Sequence, residues 1–288
     1  MNSFTYIEPA AVGEALAALA QYGDEAKLIA GGTGLINLMK QQLVQPSYLI
    51  GLRRLPLTTI AGNGELRLGA LATLRALENS DLVRRQAPML AQAIHLVATV
   101  RIRTQATIGG AVSHADPAQD TPPALLALDA RVKIRSQRGE REVALDQFFT
   151  GYYETVLQPD ELVTEVIVPA QPAGSSAVYL KFLPQTHDDY ATVAVAARVA
   201  LTGGKLSNVR VALGAAGSTP IRARAVEDAL INQVPTLKTL REAAALVAGA
   251  VDPTSDFRGS SSYKRDMAVV FVRRALEQAL TQAGHKVA

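Results

Sequence analysis

The sequence contains no cysteine and no tryptophan among its 288 residues. Without cysteine the chain forms no disulfide, carries no thiolate nucleophile, and cannot ligate an iron–sulfur cluster or a cysteine-bound zinc ion. This composition fits a reducing compartment, and we expect a cytoplasmic protein. The N-terminal stretch MNSFTYIEPA lacks the basic and apolar regions of a signal peptide. No segment approaches the roughly 20 apolar residues that span a bilayer.

A strong charge bias and a metal-ligand pattern are missing as well. The formal net charge is +3, and the basic residues are dispersed rather than gathered into a stripe, which argues against nucleic acid as a partner. The histidines at positions 95, 114, 187 and 285 do not show the spacing of metal ligands on a helix, so we expect no metal site. With 48% hydrophobic residues the chain can bury a substantial core.

The pattern of apolar residues changes near the middle of the chain. Up to about residue 170, helical and strand-like segments are mixed, beginning with a helix over 9–22 that Gly23 ends. Residues 171–177, QPAGSSA, have the composition of a linker. Beyond them the runs VYLKFL, ATVAVAARVAL and SNVRVALGAAG predict three strands, followed by helices over 221–232, 237–251 and 261–282. This order indicates an α+β fold.

Two glycine-rich loops are the most informative motifs. AGGTGLINLMK follows a strand-like segment, and TIGGAVSHADPAQD begins at Thr107. Bare backbone N–H groups from two such loops can converge on an anion such as a pyrophosphate, although glycine pairs also mark ordinary tight turns. Neither loop matches G-x-x-x-x-G-K-[ST] or G-x-G-x-x-G, so an ATP P-loop and the common dinucleotide fold are not indicated.

Four stretches together resemble a known family. They are LIAGGTGLINLMK, IRTQATIGGAVSHADPAQDTPPALLALDA, FFTGYYETVLQPDELVTEVIVP and KFLPQTHDDYATVAVAARV. Their order and spacing resemble the flavin-binding medium subunit of molybdenum hydroxylases, the group of xanthine dehydrogenase and aerobic carbon monoxide dehydrogenase. The resemblance implies a vanillyl-alcohol-oxidase-like FAD-binding domain over 1–176, with subdomains of about 1–57 and 58–176. A C-terminal domain over 177–288 would hold a small antiparallel sheet and a helical cluster.

The resemblance also implies the cofactor contacts. Both glycine loops would wrap the pyrophosphate of a non-covalent FAD with backbone amides, and side chains at Gly31, Gly32, Gly109 or Gly110 would intrude on it. Gly34 departs from the family, which often has a polar or acidic residue there. The implied cofactor-binding residues are Leu28, Ile29, Ala30, Gly31, Gly32, Thr33, Gly34, Leu35, Thr107, Ile108, Gly109, Gly110, Ala111, Ser113, Asp120, Leu162, Val163, Lys181 and Tyr190.

Some of these side chains allow two interpretations. Asp120 would hydrogen-bond the ribityl or ribose hydroxyls, or cap the following helix TPPALLALDA, or do both. Ser113 is a candidate cofactor contact, while His114 would donate to a phosphate or be a solvated loop residue.

Four further positions also allow two interpretations. Lys181 would lie near the N1–C2=O edge of the flavin and raise its potential, or be a solvated strand lysine. Tyr190 would cover the isoalloxazine, or pack at the start of a strand. The pair Leu162 and Val163 would contact the adenine or the ring, or serve only the core.

The function implied by the resemblance is electron transfer, with no catalytic residue in this chain. A large partner chain would hold the molybdenum cofactor, and a small partner would hold [2Fe–2S] clusters that pass electrons to FAD here. The absence of cysteine fits this division, and the family suggests a dimer of heterotrimers. The alternatives are a structural module without redox activity, and a free-standing FAD oxidoreductase. The latter needs an acid or base beside the flavin, for which the sequence offers no clear candidate.

Overall fold

The computed structural model describes residues 2–184, 186, 188–285 and 287, so His187 lies outside the described residues. The first 51 residues build a parallel sheet in the order β1-β3-β2. Helix α1 buries Leu16 and Leu19 against Ile50 of this sheet, and Gly23 (φ 48°) ends it as expected. The elements are β1 Thr5–Ile7, α1 Val12–Tyr22, β2 Ala26–Ile29, α2 Leu35–Lys40 and β3 Tyr48–Gly51.

The middle of the chain forms an antiparallel sheet in the order β4-β5-β10-β6-β7, covered by helices. The apolar spacing over 73–83 predicts one helical region, but the structure has two helices there, because Ser80 leaves the helical conformation and its Oγ accepts the N–H of Val83. The elements are β4 Ile60–Asn63, β5 Glu65–Gly69, α3 Leu74–Asn79, α4 Asp81–Gln86, α5 Pro88–His95, α6 Val100–Gln105, α7 Ile108–His114, α8 Thr121–Ala127, β6 Arg131–Ser136, β7 Gly139–Ala144, β8 Phe149–Gly151, β9 Glu154–Thr155 and β10 Leu162–Val168.

The remaining residues form the antiparallel sheet β11-β12-β13-β14 and three helices. The helix expected from residue 221 begins at Arg224, because Ile221 and Arg222 pair with β13 instead. The helix expected over 237–251 ends at Ala245 and continues only as a 3₁₀ turn. The elements are β11 Ser176–Phe182, β12 Val193–Thr202, β13 Lys205–Gly214, β14 Ile221–Arg222, α9 Arg224–Leu230, α10 Leu237–Ala245 and α11 Ser261–Gln282.

The C-terminal sheet is covered on both faces. One face packs on α9–α11, and the other packs on α5 and α8 through Tyr179, Ala194 and Ala212. A sheet buried on both sides needs apolar residues at successive positions, which explains the nearly continuous apolar sequence of β12. The expected α+β fold is therefore confirmed. Among the described helices, none is both long and apolar enough to cross a membrane.

A charged cluster joins this sheet to the end of α8. The carboxylate of Asp129 receives hydrogen bonds from Arg198 (2.6 Å), Arg210 (2.9 Å) and Arg222 (2.8 Å), all from β12–β14. Burial alone would raise the pKa of Asp129, but the bonds from Arg210 and Arg198 outweigh it and lower the pKa. The middle and C-terminal parts are thus joined by an ionic contact as well as by a shared core.

Candidate functional site

A large cleft lies where the parts of the chain meet. Its volume is about 650 Å³, inside the range of roughly 300–1,000 Å³ found for small-molecule sites. The loop after β2, the start of α7, the start of β10 and the strand β11 all contribute to its walls. Every cofactor-binding residue predicted from the sequence lines this cleft except Ile108, which is fully buried in the core.

The first glycine loop offers unpaired hydrogen-bond donors. Within the described part of the chain, the N–H groups of residues 31–35 donate to no protein acceptor. The loop carbonyls, in contrast, are used: Gly32 accepts from Ile36 at 3.0 Å, and Gly34 accepts from Leu38 at 3.2 Å. A run of free backbone donors beside a cleft suits the oxygens of a phosphate group.

Packing and backbone conformation explain the glycines of this loop. A Cβ on Gly31 would lie 1.9 Å from the carbonyl oxygen of Gln105, so this position must be bare for the loop to contact the end of α6. Gly32 has φ of 71°, a conformation that favours glycine. A side chain at Gly31 would therefore clash with protein backbone, and its expected intrusion on a diphosphate stays a prediction.

The second glycine loop differs from the expectation. Thr107 caps α7 by accepting the N–H of Gly110 on its Oγ1 at 3.1 Å, and a Cβ on Gly109 would lie 2.8 Å from the carbonyl oxygen of Ala70. The other amides are also engaged: Ile108 donates to Ala72 (3.0 Å), Gly109 to Ala70 (2.9 Å) and Ala111 to Thr107 (2.9 Å). The amides of residues 108–111 therefore fix the start of α7 rather than being free, and the contact of this loop with a pyrophosphate stays a prediction.

Asp120 and Lys181 form a buried ion pair at the wall of the cleft. Asp120 Oδ2 accepts from Lys181 Nζ at 2.9 Å, and its Oδ1 accepts from the phenol of Tyr179 at 2.6 Å. Lys181 also donates to the carbonyl oxygen of Leu96 at 2.9 Å. Burial raises the pKa of Asp120, and the charge of Lys181 and the hydrogen bond from Tyr179 oppose that rise only in part.

This geometry excludes one of the two interpretations of each residue and leaves the cofactor contact as a prediction. The Asp120 side chain accepts no N–H from α8, so the helix-cap interpretation is wrong. The Lys181 side chain is only 4% exposed, so it is not a solvated strand lysine. Lys181 therefore reaches the cleft as half of an ion pair rather than as an isolated cation.

Tyr190 lies at the mouth of the cleft with 43% of its surface exposed. The backbone N–H of Tyr190 donates to Asp189 Oδ1 at 2.7 Å, and the guanidinium carbon of Arg258 lies 5.8 Å from the centre of its ring. Sequence reasoning missed Arg258, which follows Tyr190 by 68 residues and carries no local signal.

A second tyrosine at the cleft was also missed. Tyr153 adopts φ of 58°, is half exposed, and donates from its phenol to Asp116 Oδ2 at 3.2 Å. Its ring meets the imidazole of His114 edge-on, with 5.1 Å between centroids. Burial lowers the pKa of His114, and the nearby Asp116 opposes this. In the sequence, Tyr153 is marked only by the stretch GYYET, which contributed to the family resemblance but not to the predicted contacts.

The remaining predicted residues serve two purposes. Leu162 and Val163 line the cleft and also belong to buried cores, so core packing and a cleft-facing position hold together. Ser113 lies on α7 and lines the cleft too. Among the described residues, no group of three or more His, Cys, Asp and Glu side chains could hold a metal ion.

Comparisons with known proteins agree with this geometry. Residues 2–171 match the FAD binding domain in molybdopterin dehydrogenase, and residues 178–279 match the CO dehydrogenase flavoprotein C-terminal domain. The chain is 35% identical to the carbon monoxide dehydrogenase medium chain of Hydrogenophaga pseudoflava, covering 96% of each. It is 36% identical to the 6-hydroxypseudooxynicotine dehydrogenase complex subunit alpha of Paenarthrobacter nicotinovorans, covering 98% of this chain and 96% of the relative.

Solved structures give the same result. A chain of carbon monoxide dehydrogenase from Hydrogenophaga pseudoflava superposes with a TM-score of 0.95 at 37% identity, covering 97% of this chain and 98% of that one. A chain of quinoline 2-oxidoreductase from Pseudomonas putida 86 superposes with a TM-score of 0.91 at 31% identity, covering 98% of both. The resemblance found in the sequence is confirmed: the chain belongs to the family of FAD-binding medium subunits of molybdenum-containing oxidoreductases.

Proposed function

We propose that this chain is the electron-transfer subunit of a three-chain molybdenum hydroxylase. It receives electrons from [2Fe–2S] clusters on a small partner chain and delivers them to an external acceptor. The large partner chain holds the molybdenum cofactor and oxidises the substrate. The proposal includes a dimer of heterotrimers, by family analogy, and a cytoplasmic location, which rests on the cysteine-free composition.

The observation that carries the proposal is the run of five free backbone donors in the first loop, beside a cleft of suitable size. These donors fit the pyrophosphate of FAD, and Tyr190 fits a position over the isoalloxazine. The other cleft-lining residues predicted from the sequence complete the proposed contacts. When bound, FAD supplies the capacity to take up and release electrons singly or in pairs.

The pairing of the cleft carboxylates favours an electron relay over a free-standing oxidoreductase. Asp120 pairs with Lys181, Glu161 with Arg141 at 2.7 Å, and Asp189 with Arg258 at 2.7 Å. The fourth carboxylate at the cleft, Asp188, is exposed to solvent. In each pair the carboxylate already accepts a hydrogen bond from its cation, which leaves it less able to accept a proton from an organic substrate.

We also propose that residues 1–176 are the FAD-binding domain, with subdomains of about 1–57 and 58–176, and that residues 177–288 are the second domain. Support comes from the three larger sheets, which are separate from one another, and from the residues between β10 and β11, which are not part of a strand or helix. Lys181 and Tyr190 would then be contacts that the second domain contributes to a cofactor held mainly by the first.

An anaerobic mixing experiment tests the electron-relay proposal. The isolated chain, loaded with FAD, should be bleached by dithionite and not by an N-heterocycle, an aldehyde or carbon monoxide. The complex of all three chains should be bleached by its own substrate, and acid treatment of the isolated chain should release free FAD. If a substrate bleaches the isolated chain at the rate of the complex, the chain is a free-standing oxidoreductase and the proposal fails.

A further inference from the structure

We propose that Arg258 is a positioning residue for the cofactor cleft: it fixes Tyr190 at the cleft mouth by holding Asp189. Arg258 lies in the loop before α11, outside the residues that line the cleft. The inference rests on the proposed function in one respect, namely that Tyr190 covers the flavin ring.

One carboxylate oxygen connects the arginine to the tyrosine. Asp189 Oδ1 accepts from Arg258 Nη2 at 2.7 Å and from the backbone N–H of Tyr190 at 2.7 Å. The guanidinium also lies within reach of the Tyr190 ring, at 5.8 Å from its centre, where a cation–π attraction operates. Arg258 thus contacts Tyr190 directly through its ring and indirectly through its backbone.

Among the described residues, no strand hydrogen bond holds Tyr190, so contacts outside the sheet must position it. The last strand-like hydrogen bond before this loop runs from Thr192 to the carbonyl oxygen of Phe182, at 2.9 Å. Strand β12 begins only at Val193. Tyr190 lies beyond the last ladder bond, and the hydrogen bond of its own N–H goes to Asp189.

Neighbouring residues of the loop before α11, and Lys264 of α11 through Asp256, hold Arg258 in place. Its guanidinium stacks 4.1 Å from the ring centre of Phe257, and its backbone N–H donates to Asp256 at 2.8 Å. Asp256 in turn pairs with the buried ammonium of Lys264 on α11, at 2.8 Å. The loop before α11 is therefore a fixed base from which Arg258 reaches the cleft mouth.

Because Arg258 is partly buried, its ion pair with Asp189 constrains where Asp189 lies. The Arg258 side chain is 17% exposed, and its Nε has no hydrogen-bond partner in the described part of the structure. A partly buried guanidinium strongly favours an arrangement in which a carboxylate compensates its charge. Asp189 Oδ1 compensates it from the cleft side at 2.7 Å, and Asp256 Oδ2 lies on the loop side at 3.6 Å, so moving Asp189 away with Tyr190 would leave the guanidinium the longer of these two ion pairs.

The test uses the FAD-loaded chain and two readouts, the FAD dissociation constant and the fluorescence of bound flavin. Arg258→Met should weaken FAD binding about two- to tenfold, the effect of losing a partly exposed ion pair and a cation–π contact. It should also increase the flavin fluorescence, because Tyr190 quenches it less when mobile. Arg274→Met is the matched control, since Arg274 stacks on Phe271 at 5.2 Å and should leave both readouts unchanged.

Two further variants make the outcome decisive. In a Tyr190→Ala background, Arg258→Met should have no additional effect, and Arg258→Lys, which keeps a cation opposite Asp189, should retain part of the quenching that Arg258→Met loses. If Arg258→Met leaves both readouts unchanged while Tyr190→Ala alters them, this inference is wrong and the proposed function is unaffected. If Tyr190→Ala alters neither readout, Tyr190 is not one of the flavin contacts in the proposed function. If Arg258→Met fails to fold, Asp189→Asn tests the same link from a more exposed residue.

Discussion

The imidazole of His114 occupies the space that a side chain at residue 34 would fill. A Cβ built on Gly34 would lie 2.6 Å from Nε2 of His114 and 2.9 Å from its Cδ2. The φ of Gly34 is −91°, so its backbone conformation suits any residue. The departure from the family at Gly34 is thus matched by a histidine that reaches into the first loop from α7.

A double-mutant cycle tests whether a side chain at residue 34 and the imidazole of His114 compete for the same space. Gly34→Ser should weaken FAD binding in the wild-type background, because the imidazole must move away from the loop. In the His114→Ala background the same substitution should be nearly neutral. The coupling should lie in the range of about 0.5–3 kcal/mol seen for contacting residues, measured by FAD titration of the four proteins. Additive effects would show that the two positions do not compete.

Gly31 should tolerate no side chain. Gly31→Ala places a methyl group 1.9 Å from the Gln105 carbonyl oxygen, so the loop and the end of α6 must separate. We expect a loss of about 1–3 kcal/mol in the free energy of unfolding, as for overpacked cores, together with weaker FAD binding. Gly13→Ala on α1 is the control, since no described atom outside its chain neighbours and its own helix backbone lies within 4 Å of its Cβ position. Equal stability of the two variants in urea would contradict the packing argument.

Removing the ammonium of Lys181 should leave a buried charge. Lys181→Met should reduce stability at neutral pH by about 3–5 kcal/mol, the usual effect of breaking a buried pair. Without the lysine the folded-state pKa of Asp120 rises further above its unfolded value, so the loss should be small near pH 4 and grow as the pH rises. Adding Asp120→Asn should recover part of the stability. Urea unfolding at pH 5 and pH 8 measures this, and a loss independent of pH would refute it.

Tyr190 should contribute to cofactor binding through its ring. Tyr190→Ala should increase the fluorescence of bound flavin and weaken binding by about 0.5–1.5 kcal/mol beyond the lost contact area, as expected for aromatic stacking. Tyr190→Phe retains the ring and should stay close to wild type in both properties. If Phe and Ala have equal effects, the phenol oxygen rather than stacking is what matters.

The stability that Glu78 contributes at neutral pH should be lost in acid. Burial alone would raise the pKa of Glu78, but hydrogen bonds from Arg75, His95 and Arg103 lower it from 4.5 to about 2. A lowered folded-state pKa gives stability that is complete above pH 4.5 and is lost as the pH falls towards 2.

The variant Glu78→Gln should therefore be less stable than wild type at pH 7, by on the order of 2–3 kcal/mol, and nearly equal to it at pH 2–3. Thermal unfolding across this range is the measurement. Asp252→Asn, at a side chain that is 97% exposed, is the control. A constant difference between wild type and Glu78→Gln at every pH would exclude the proposed pKa.

Local patterns predicted the elements well where local forces decide. The glycines at 203 and 204 turn the hairpin between β12 and β13, and α11 has the expected bounds. The errors arose where distant residues compete. The pairing of Ile221 with β13 overrides a helical pattern, and the bond from Gly109 to Ala70 uses an amide that the motif alone leaves free.

The same distinction applies to the cleft. Nearly all of the residues predicted from the family motifs line the cleft. Each motif is a continuous stretch of sequence, so it can be found without knowing how the sheets pack. The partner of Asp120 lies 61 residues later, and the partner of Asp189 lies 69 residues later. Such pairs are set by how the sheets pack, which no spacing within a motif encodes.

The buried helix α8 has a consequence for how the chain unfolds. All seven of its residues are buried, and they pack against β12 and β13 as well as against α5 and α7. A helix shared by two layers cannot lose one neighbour without exposing apolar surface, so the middle part and the C-terminal sheet should melt as a single cooperative unit. A fragment ending at residue 176 would retain the glycine loops and still present an uncovered apolar face, and its fate would be aggregation rather than an autonomous flavoprotein.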